Sequence, residues 1–286
     1  MITQENLTKG LQEYITTKDY SLTKEKFKLE YNKEFDLLVT NPIPKNLGKY
    51  YQFDEYISHT DSKKSLLDKV YQTVRNYTLQ KKLKLINSLQ TKEKSILDIG
   101  CGTGDFLLTC KKDGWKTLGI EPNKKAQDIS KTKNLVIKET IEELSNEKYD
   151  VITLWHVLEH VPNLIEYIHT LEKLLKEEGR LIIAVPNFKS YDAKHYKNYW
   201  AAFDVPRHLW HFSQKSISKL FSSVNMEVIK TLPMKFDSYY VSLLSEKYKR
   251  GYMNPFFSFF VGLWSNFKAK QTNEYSSLIY IIKKLN

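Results

Sequence analysis

The residues Ile96-Leu97-Asp98-Ile99-Gly100-Cys101-Gly102-Thr103-Gly104-Asp105 pass from an apolar, buried-type strand into a glycine turn and then into a helix. Glycine tolerates positive φ and lets a ligand approach the backbone, while a helix N-terminus presents unpaired N–H groups. A nucleotide-like ligand belongs at such a turn. Which ligand depends on the spacing. A dinucleotide fingerprint reads G-x-G-x-x-G, and its third glycine would fall at position 105, which is Asp. A carboxylate at a helix start repels a pyrophosphate, so an NAD-type ligand is disfavoured.

Working outward, short apolar runs alternate with helical stretches, the pattern of βαβ units and a parallel sheet. Strands are expected near 95–99, 116–120, 134–138, 149–154, 180–185, 226–231 and 277–282, with helices near 104–112, 124–131, 163–177 and 214–223. Glu121 closes the second strand at the carboxyl edge of the sheet, where a carboxylate can accept two ribose hydroxyls. The alternative is a solvated acid at a strand end. Taken with the glycine spacing and with Thr140-Ile141 after the third strand, it favours S-adenosylmethionine, which carries an ammonium and no phosphate.

The runs DIGCGTGDFL, GIEPN, YDVITLWHVLEHVPN and GRLIIAVPN resemble class I S-adenosylmethionine-dependent methyltransferases, in particular the small-molecule group that includes ubiquinone-type O-methyltransferases. The resemblance covers roughly the central third of the chain. It implies an α/β fold: a doubly wound, Rossmann-like, seven-stranded sheet with its last strand antiparallel. It further implies that Asp98, Gly100, Cys101, Gly102 and Gly104 surround the methionine part of the cofactor and that Glu121 holds the ribose. Pro122, Thr140 and Ile141 would flank the adenine, and Trp155 and His156 would line the floor near the sulfonium. Many relatives have an Asp where this chain reads Glu139-Thr140-Ile141.

With 286 residues, 41% hydrophobic and 13% aromatic, the chain can build one sizeable core with additions at both ends. The expected division is an N-terminal cap at 1–60, a helical lead-in at 61–94 and a methyltransferase domain at 95–286. That domain would hold an acceptor-side segment at 187–212 and a helical insertion at 233–276 before the last strand. The lead-in is read as a helix pair with Leu66, Leu67, Val70, Val74, Tyr77, Leu83 and Ile86 on its apolar face. Two cysteines, the lack of a signal-peptide pattern and the lack of an apolar run near the roughly 18 residues of a membrane span suggest a cytoplasmic protein. The net charge of +11 is read as a solvated, lysine-rich surface.

Methyl transfer asks for positioning, exclusion of water and sometimes removal of a proton. His156, Glu159 and His160 follow the fourth strand. Related O-methyltransferases hold a divalent ion with acids and a histidine here. The alternative, that Glu159 and His160 lock the loop, is taken, and no metal ligand is assigned. In Asp204-Val-Pro-Arg207-His208, which resembles a stretch that shapes the acceptor pocket in this group, His208 is the candidate base, since an imidazole can take up a proton near neutral pH. His156 is a second catalytic candidate, Arg207 is set against an anionic substrate, and Asp204 completes the substrate group. A buried structural network of Asp204, Arg207 and His208 is the competing reading.

FKLEYNKEFDLLVTNPIP resembles half of a zinc ribbon. The ligand positions would be Tyr14, Thr17, Asn32 and Phe35, none a thiolate, so no zinc is expected and packing of Phe27, Tyr31 and Phe35 should replace it. Pro255 to Trp264 is apolar for ten residues and is read as a lid or core helix, with a dimer contact or a peripheral membrane or lipid contact as alternatives. The expected activity is methylation of an O or C atom of a small metabolite, such as a sugar, a quinone-like or a lipid-linked compound. The competing readings are an RNA or DNA methyltransferase and a noncatalytic adenosyl-binding scaffold. The fourth strand ends in LWHV, without the N/D-P-P-Y pattern of many base methyltransferases, which makes nucleic acid a poor candidate partner.

Overall fold

The computed structural model describes residues 2–51, 66–144 and 147–285, and for 66–71 the backbone only. Strands β1 (Gln12–Lys18), β2 (Lys26–Asn32), β3 (Leu37–Asn41) and β9 (Trp210–His211) form a four-stranded sheet in that order. Its three pairings are all antiparallel. A seven-stranded sheet has the order β10-β11-β8-β7-β4-β5-β6. Its strands are β4 (Ser95–Ile99), β5 (Lys116–Ile120), β6 (Ile137–Lys138), β7 (Tyr149–Trp155), β8 (Leu175–Pro186), β10 (Met226–Pro233) and β11 (Ser277–Lys284). The pairs β4–β5, β4–β7 and β5–β6 are parallel, and β10–β11 is antiparallel. The seven-stranded, doubly wound arrangement expected from the sequence is therefore present.

The chain divides into two compact units. One contains the described residues of 53–155 and 171–182. Its strands β4 and β7 are apolar and buried along almost their whole length, as parallel strands covered on both faces must be. Helices α2 (Leu66–Asn87), α3 (Asp105–Lys112) and α4 (Lys124–Thr132) belong to it. The Asn123 side chain caps α4 by accepting from Ala126 N–H. Gly119 in β5 permits close packing, because a Cβ there would lie 2.6 Å from Cys101 Sγ and from Ile137.

Several local expectations change. The lead-in is one continuous helix over its described part, with Leu83 and Ile86 buried but Tyr77 exposed beneath Lys81. Residues 61–65 and the side chains of Leu66, Leu67 and Val70 lie outside the description. The third strand begins at Ile137, since Asn134 is still in the left-handed turn that ends α4 (φ 56°). The helix expected to reach 177 is α5 (Leu164–Leu174), and β8 starts at once after it. There Lys176 pairs with Asp150 at 3.2 Å and Glu93 at 2.9 Å.

The other unit contains the described residues of 1–52, 156–170 and 183–285. Phe27, Leu29, Leu38, Tyr50, Trp200 and Phe203 are part of its core. At the positions of the zinc-ribbon register, Asn32 donates to the Asn6 and Leu7 carbonyls and Thr17 to the Asn198 carbonyl. Phe35 is buried and Tyr14 meets Phe188 edge-on. Phe27 is also buried, and Tyr31 donates to Asp36 at 2.6 Å.

Between β10 and β11 run α8 (Asp237–Arg250) and α9 (Pro255–Thr272). The buried face of α9 is Ser258, Val261, Gly262, Ser265 and Ala269. A Cβ on Gly262 would meet Tyr239 at 2.8 Å, so small residues set this helix contact. Phe256, Phe259, Phe260, Trp264 and Phe267 therefore point outward, while Phe257 packs on the core, so the segment read as a lid or core helix is buried along one face only. Among the described residues no helix is long and apolar enough to cross a membrane.

Candidate functional site

In the unit built on β4 and β5, Gly100, Gly102 and Gly104 all have positive φ (69°, 54° and 77°). The N–H groups of Gly100 and Cys101 both donate to the Ile120 carbonyl, at 2.8 and 3.0 Å, which folds the turn over the end of β5. Gly104 is packed tightly, since a Cβ would sit 2.5 Å from Leu135. At Gly102 a Cβ would meet nothing within 4 Å, so the turn is open there to a ligand.

Glu121 is buried and spans the turn: one carboxylate oxygen accepts from Gly102 N–H at 2.8 Å, the other from Asn123 N–H at 2.9 Å. Burial raises its pKa, and the two backbone donors oppose that. Each oxygen keeps lone pairs for a hydroxyl donor. Asp98, at the end of β4, accepts from the Thr153 hydroxyl at 2.5 Å. Burial lifts its carboxyl to about 6, with Thr153 and Lys82 working against the rise and Glu121 with it. Trp155 packs edge-on against Phe106 under Lys82, whose ammonium lies 4.0 Å from the ring centroid. The Trp155 indole N–H is buried and has no hydrogen-bond partner among the described residues.

These features fit an adenosyl ligand: an open turn, an acid closing β5 and an indole N–H without an acceptor. Ile141 is buried, and Pro122 and Thr140 are exposed. The N–H of Thr140 donates to Glu143, so Thr140 heads a short turn at Ile141–Glu143. The Cys101 and Cys110 thiols are pushed well up by burial.

Asp105 corrects the reasoning about charge. It is not an isolated acid facing the ligand. Arg75 bonds to it, as do Lys133 at 2.9 Å and the Thr103 hydroxyl at 2.7 Å. Paired with two cations, it is a poor source of repulsion, and the glycine spacing carries that discrimination instead. Residues the sequence reading missed also hold the turn. Gln127 donates to the Glu121 carbonyl, Ser130 to the Gly102 carbonyl and Lys133 to the Thr103 carbonyl. Their spacing of three places them on one helix face, the signal by which they could have been found.

The histidine cluster belongs to the other unit. His156, expected on the donor floor, has φ 58° and lies between two carboxylates: Nδ1 is 3.4 Å from Glu159 and Nε2 is 3.1 Å from Asp237. Burial opposes the charge, but these two acids raise the imidazole to about 10, so it is an imidazolium at neutral pH and not a base. Glu159 is 1% exposed, and among the described residues its carboxylate meets the His156 imidazolium at 3.4 Å without a well-aligned hydrogen bond. His160 Nδ1 is 3.0 Å from both the Tyr51 hydroxyl and the Arg207 carbonyl. Burial and the neighbouring His208 lower it to about 4, and it is neutral.

His208 Nδ1 is 2.9 Å from the Ala202 carbonyl. A carbonyl only accepts, so Nδ1 carries a proton and donates it there, while Nε2 lies 4.0 Å from the Asp204 carboxylate. Glu159, His160 and His208 each offer a ligand atom, all within 4.8 Å of one another, an arrangement that can hold a metal ion. No ligand role was assigned to them from sequence.

Arg207, set against an anionic substrate, is committed elsewhere. It is 1% exposed, forks onto Asp204 at 2.6 and 2.9 Å, and reaches Asp19 at 3.1 Å and the Tyr50 carbonyl at 3.2 Å. Asp204 is thereby held ionised, its burial offset by Arg207. The competing reading of a buried network describes Asp204 and Arg207.

A doubly wound seven-stranded sheet with a glycine turn after one strand and an acid closing the next is the architecture of S-adenosylmethionine-dependent methyltransferases. The model of the methyltransferase domain family matches residues 71–231, more than half of the chain, and the chain belongs to that family. It is 32% identical over 145 residues to the ubiquinone biosynthesis O-methyltransferase of Rickettsia bellii, covering 46% of this chain and 60% of that one. It is 30% identical over 128 residues to the enzyme of the same name from Vibrio cholerae, covering 41% and 50%. The chain thus spans half to three fifths of the length of these relatives. Among solved structures, magnesium protoporphyrin IX methyltransferase from Synechocystis PCC 6803 with bound S-adenosylhomocysteine superposes with a TM-score of 0.53 at 15% identity. That match covers 83% of this chain and 94% of the other.

Proposed function

We propose that the protein transfers the methyl group of S-adenosylmethionine to an oxygen or carbon atom of a small metabolite, with a quinone-like, lipid-linked or sugar hydroxyl as the acceptor class. The observation that carries this reading is the turn at Gly102, open to a ligand and tied to Glu121. Asp98, Gly100, Cys101, Gly102 and Gly104 surround the methionine part and Glu121 takes the ribose hydroxyls. Pro122, Thr140 and Ile141 border the adenine, and Trp155 offers its indole N–H. The sulfonium supplies an activated methyl group. For an oxygen acceptor, the bound donor would supply its methyl group to the hydroxyl oxygen and leave as the neutral thioether, and His208 Nε2 would take the hydroxyl proton. His156 contributes a fixed positive charge, which favours an acceptor that becomes anionic. The names of the curated relatives support an oxygen acceptor. The two free thiols support a reducing, cytoplasmic setting.

The test is thermal unfolding with S-adenosylhomocysteine, with NAD and with neither, repeated on Glu121→Ala. A ligand at about 100 times its Kd adds roughly 2.7 kcal/mol, which raises the midpoint by about 5 to 10 °C. A rise with S-adenosylhomocysteine alone, lost in the variant, is expected. No rise in a folded sample refutes the donor site. Incubating enzyme and labelled donor with a cell extract, then locating the label by mass spectrometry, identifies the acceptor.

A further inference from the structure

Of the aromatic residues of helix α9, Phe257 packs inward and the other five lie on the outside. Phe256 is 75% exposed, and Phe259, Phe260, Leu263, Trp264 and Phe267 are each 45 to 52% exposed. Their spacing makes a single stripe along one helix face, opposite the small residues that pack inward. The rings contact one another: Phe256 meets Phe260 edge-on at 4.9 Å, and Trp264 stacks on Phe267 at 5.3 Å. A stripe this large and this aromatic is not ordinary surface.

Charge says what covers it. From Lys247 to Thr272 the chain has Lys247, Lys249, Arg250, Lys268 and Lys270 and not one Asp or Glu. All five cations are exposed, and they stand at the two ends of the stripe: the first three before the N-terminus of α9, the last two in its final turns. The Lys268 ammonium lies over the Trp264 ring, 5.3 Å from its centroid. Of the two acids of α8, Glu246 is buried and takes up Arg250, and Asp237 faces His156, which leaves Lys247, Lys249, Lys268 and Lys270 as the outward charge. A second copy would bring the same cations to the interface, whereas an anionic lipid surface complements them.

An 18-residue helix is about 27 Å long, and Phe and Trp side chains flanked by lysines suit a helix lying in the headgroup region. We propose that the outward face of α9 docks the protein on an anionic bilayer, with Phe256, Phe260 and Trp264 entering the interface and Lys247, Lys249, Lys268 and Lys270 meeting the lipid headgroups.

The experiment is co-sedimentation of the full chain with vesicles of phosphatidylcholine alone and of phosphatidylcholine mixed with phosphatidylglycerol, at low and high salt. Binding is expected only with phosphatidylglycerol present, weakening with salt. Phe256→Ser with Phe260→Ser should abolish it. Lys268→Gln with Lys270→Gln should weaken it about 25-fold, since each cation near an anionic surface is worth roughly a fivefold change in partition. Both pairs are exposed, so the unfolding midpoint and its rise with S-adenosylhomocysteine should stay as in the parent. Absence of binding to the anionic vesicles overturns the proposal. So does a dimer in vesicle-free solution, seen by light scattering, that the phenylalanine substitutions convert to a monomer, because the face would then belong to a second copy.

Discussion

Replacing Asp98 with Asn should stabilise the ligand-free protein at pH 8 and weaken donor binding at the same time. Burial at the end of β4 lifts the Asp98 carboxyl from an ordinary 3.8 to about 6, and the Thr153 hydroxyl and Lys82 offset this only in part. The native state therefore holds this proton more tightly than the unfolded chain does. Acid favours folding through this group, and its contribution is lost as pH rises from about 4 to about 6, staying level above that. The gap between 3.8 and about 6 corresponds to roughly 3 kcal/mol at pH 8. Asn carries no charge and still offers Thr153 an acceptor oxygen. Urea unfolding should place the variant about 3 kcal/mol above the parent at pH 8 and about 1.5 kcal/mol above it at pH 5. Comparing parent and variant at each pH cancels the other titrating groups. The midpoint rise with S-adenosylhomocysteine should shrink in the variant. A variant less stable than the parent at pH 8, or a difference that does not change with pH, would refute the reasoning.

Glycine substitutions should separate structure from binding. Gly104→Ala drives a Cβ to within 2.5 Å of Leu135 at φ 77° and should lower stability by about 2 to 3 kcal/mol. Gly102→Ala meets open space and should lower it by only about 1 kcal/mol while removing the midpoint rise with S-adenosylhomocysteine. Arg207→Ala leaves Asp19 and Asp204 without their shared buried cation and should cost roughly 3 to 5 kcal/mol in urea unfolding. A loss below 1 kcal/mol would show that the network is not structural. His208→Gln retains a donor for the Ala202 carbonyl but loses the basic nitrogen. With an identified acceptor, kcat should fall about 100-fold or more with KM little changed, and an equal loss in both would assign His208 to binding.

The glycine turn and its flanking strands were legible because their cause is local. Ile96 to Ile99 and Thr117 to Ile120 are continuous apolar runs that end at a turn, and only glycines accept the backbone angles of Gly100, Gly102 and Gly104 without strain. The start of β6 was misread because Val136 and Ile137 look alike as strand formers, and the left-handed Asn134 that delays the strand is a property of how α4 ends. Helix α9 was read by its aromatic content, whereas Ser258, Val261, Gly262, Ser265 and Ala269, at spacings of three and four, already traced its packed face.

The sequence by itself determined the class of fold, the position of the glycine turn and the family, since those rest on backbone conformation and on short-range pattern. Tertiary structure alone decided which charges are taken up inside the protein. Asp105 finds Arg75 from α2 and Lys133 from the cap of α4, Arg207 finds Asp19 across 188 positions of chain, and His156 finds Asp237 in the insertion. The pKa of a carboxylate or imidazole, and so its chemistry, depends on burial and on partners within a few ångströms, and chain order does not encode that proximity.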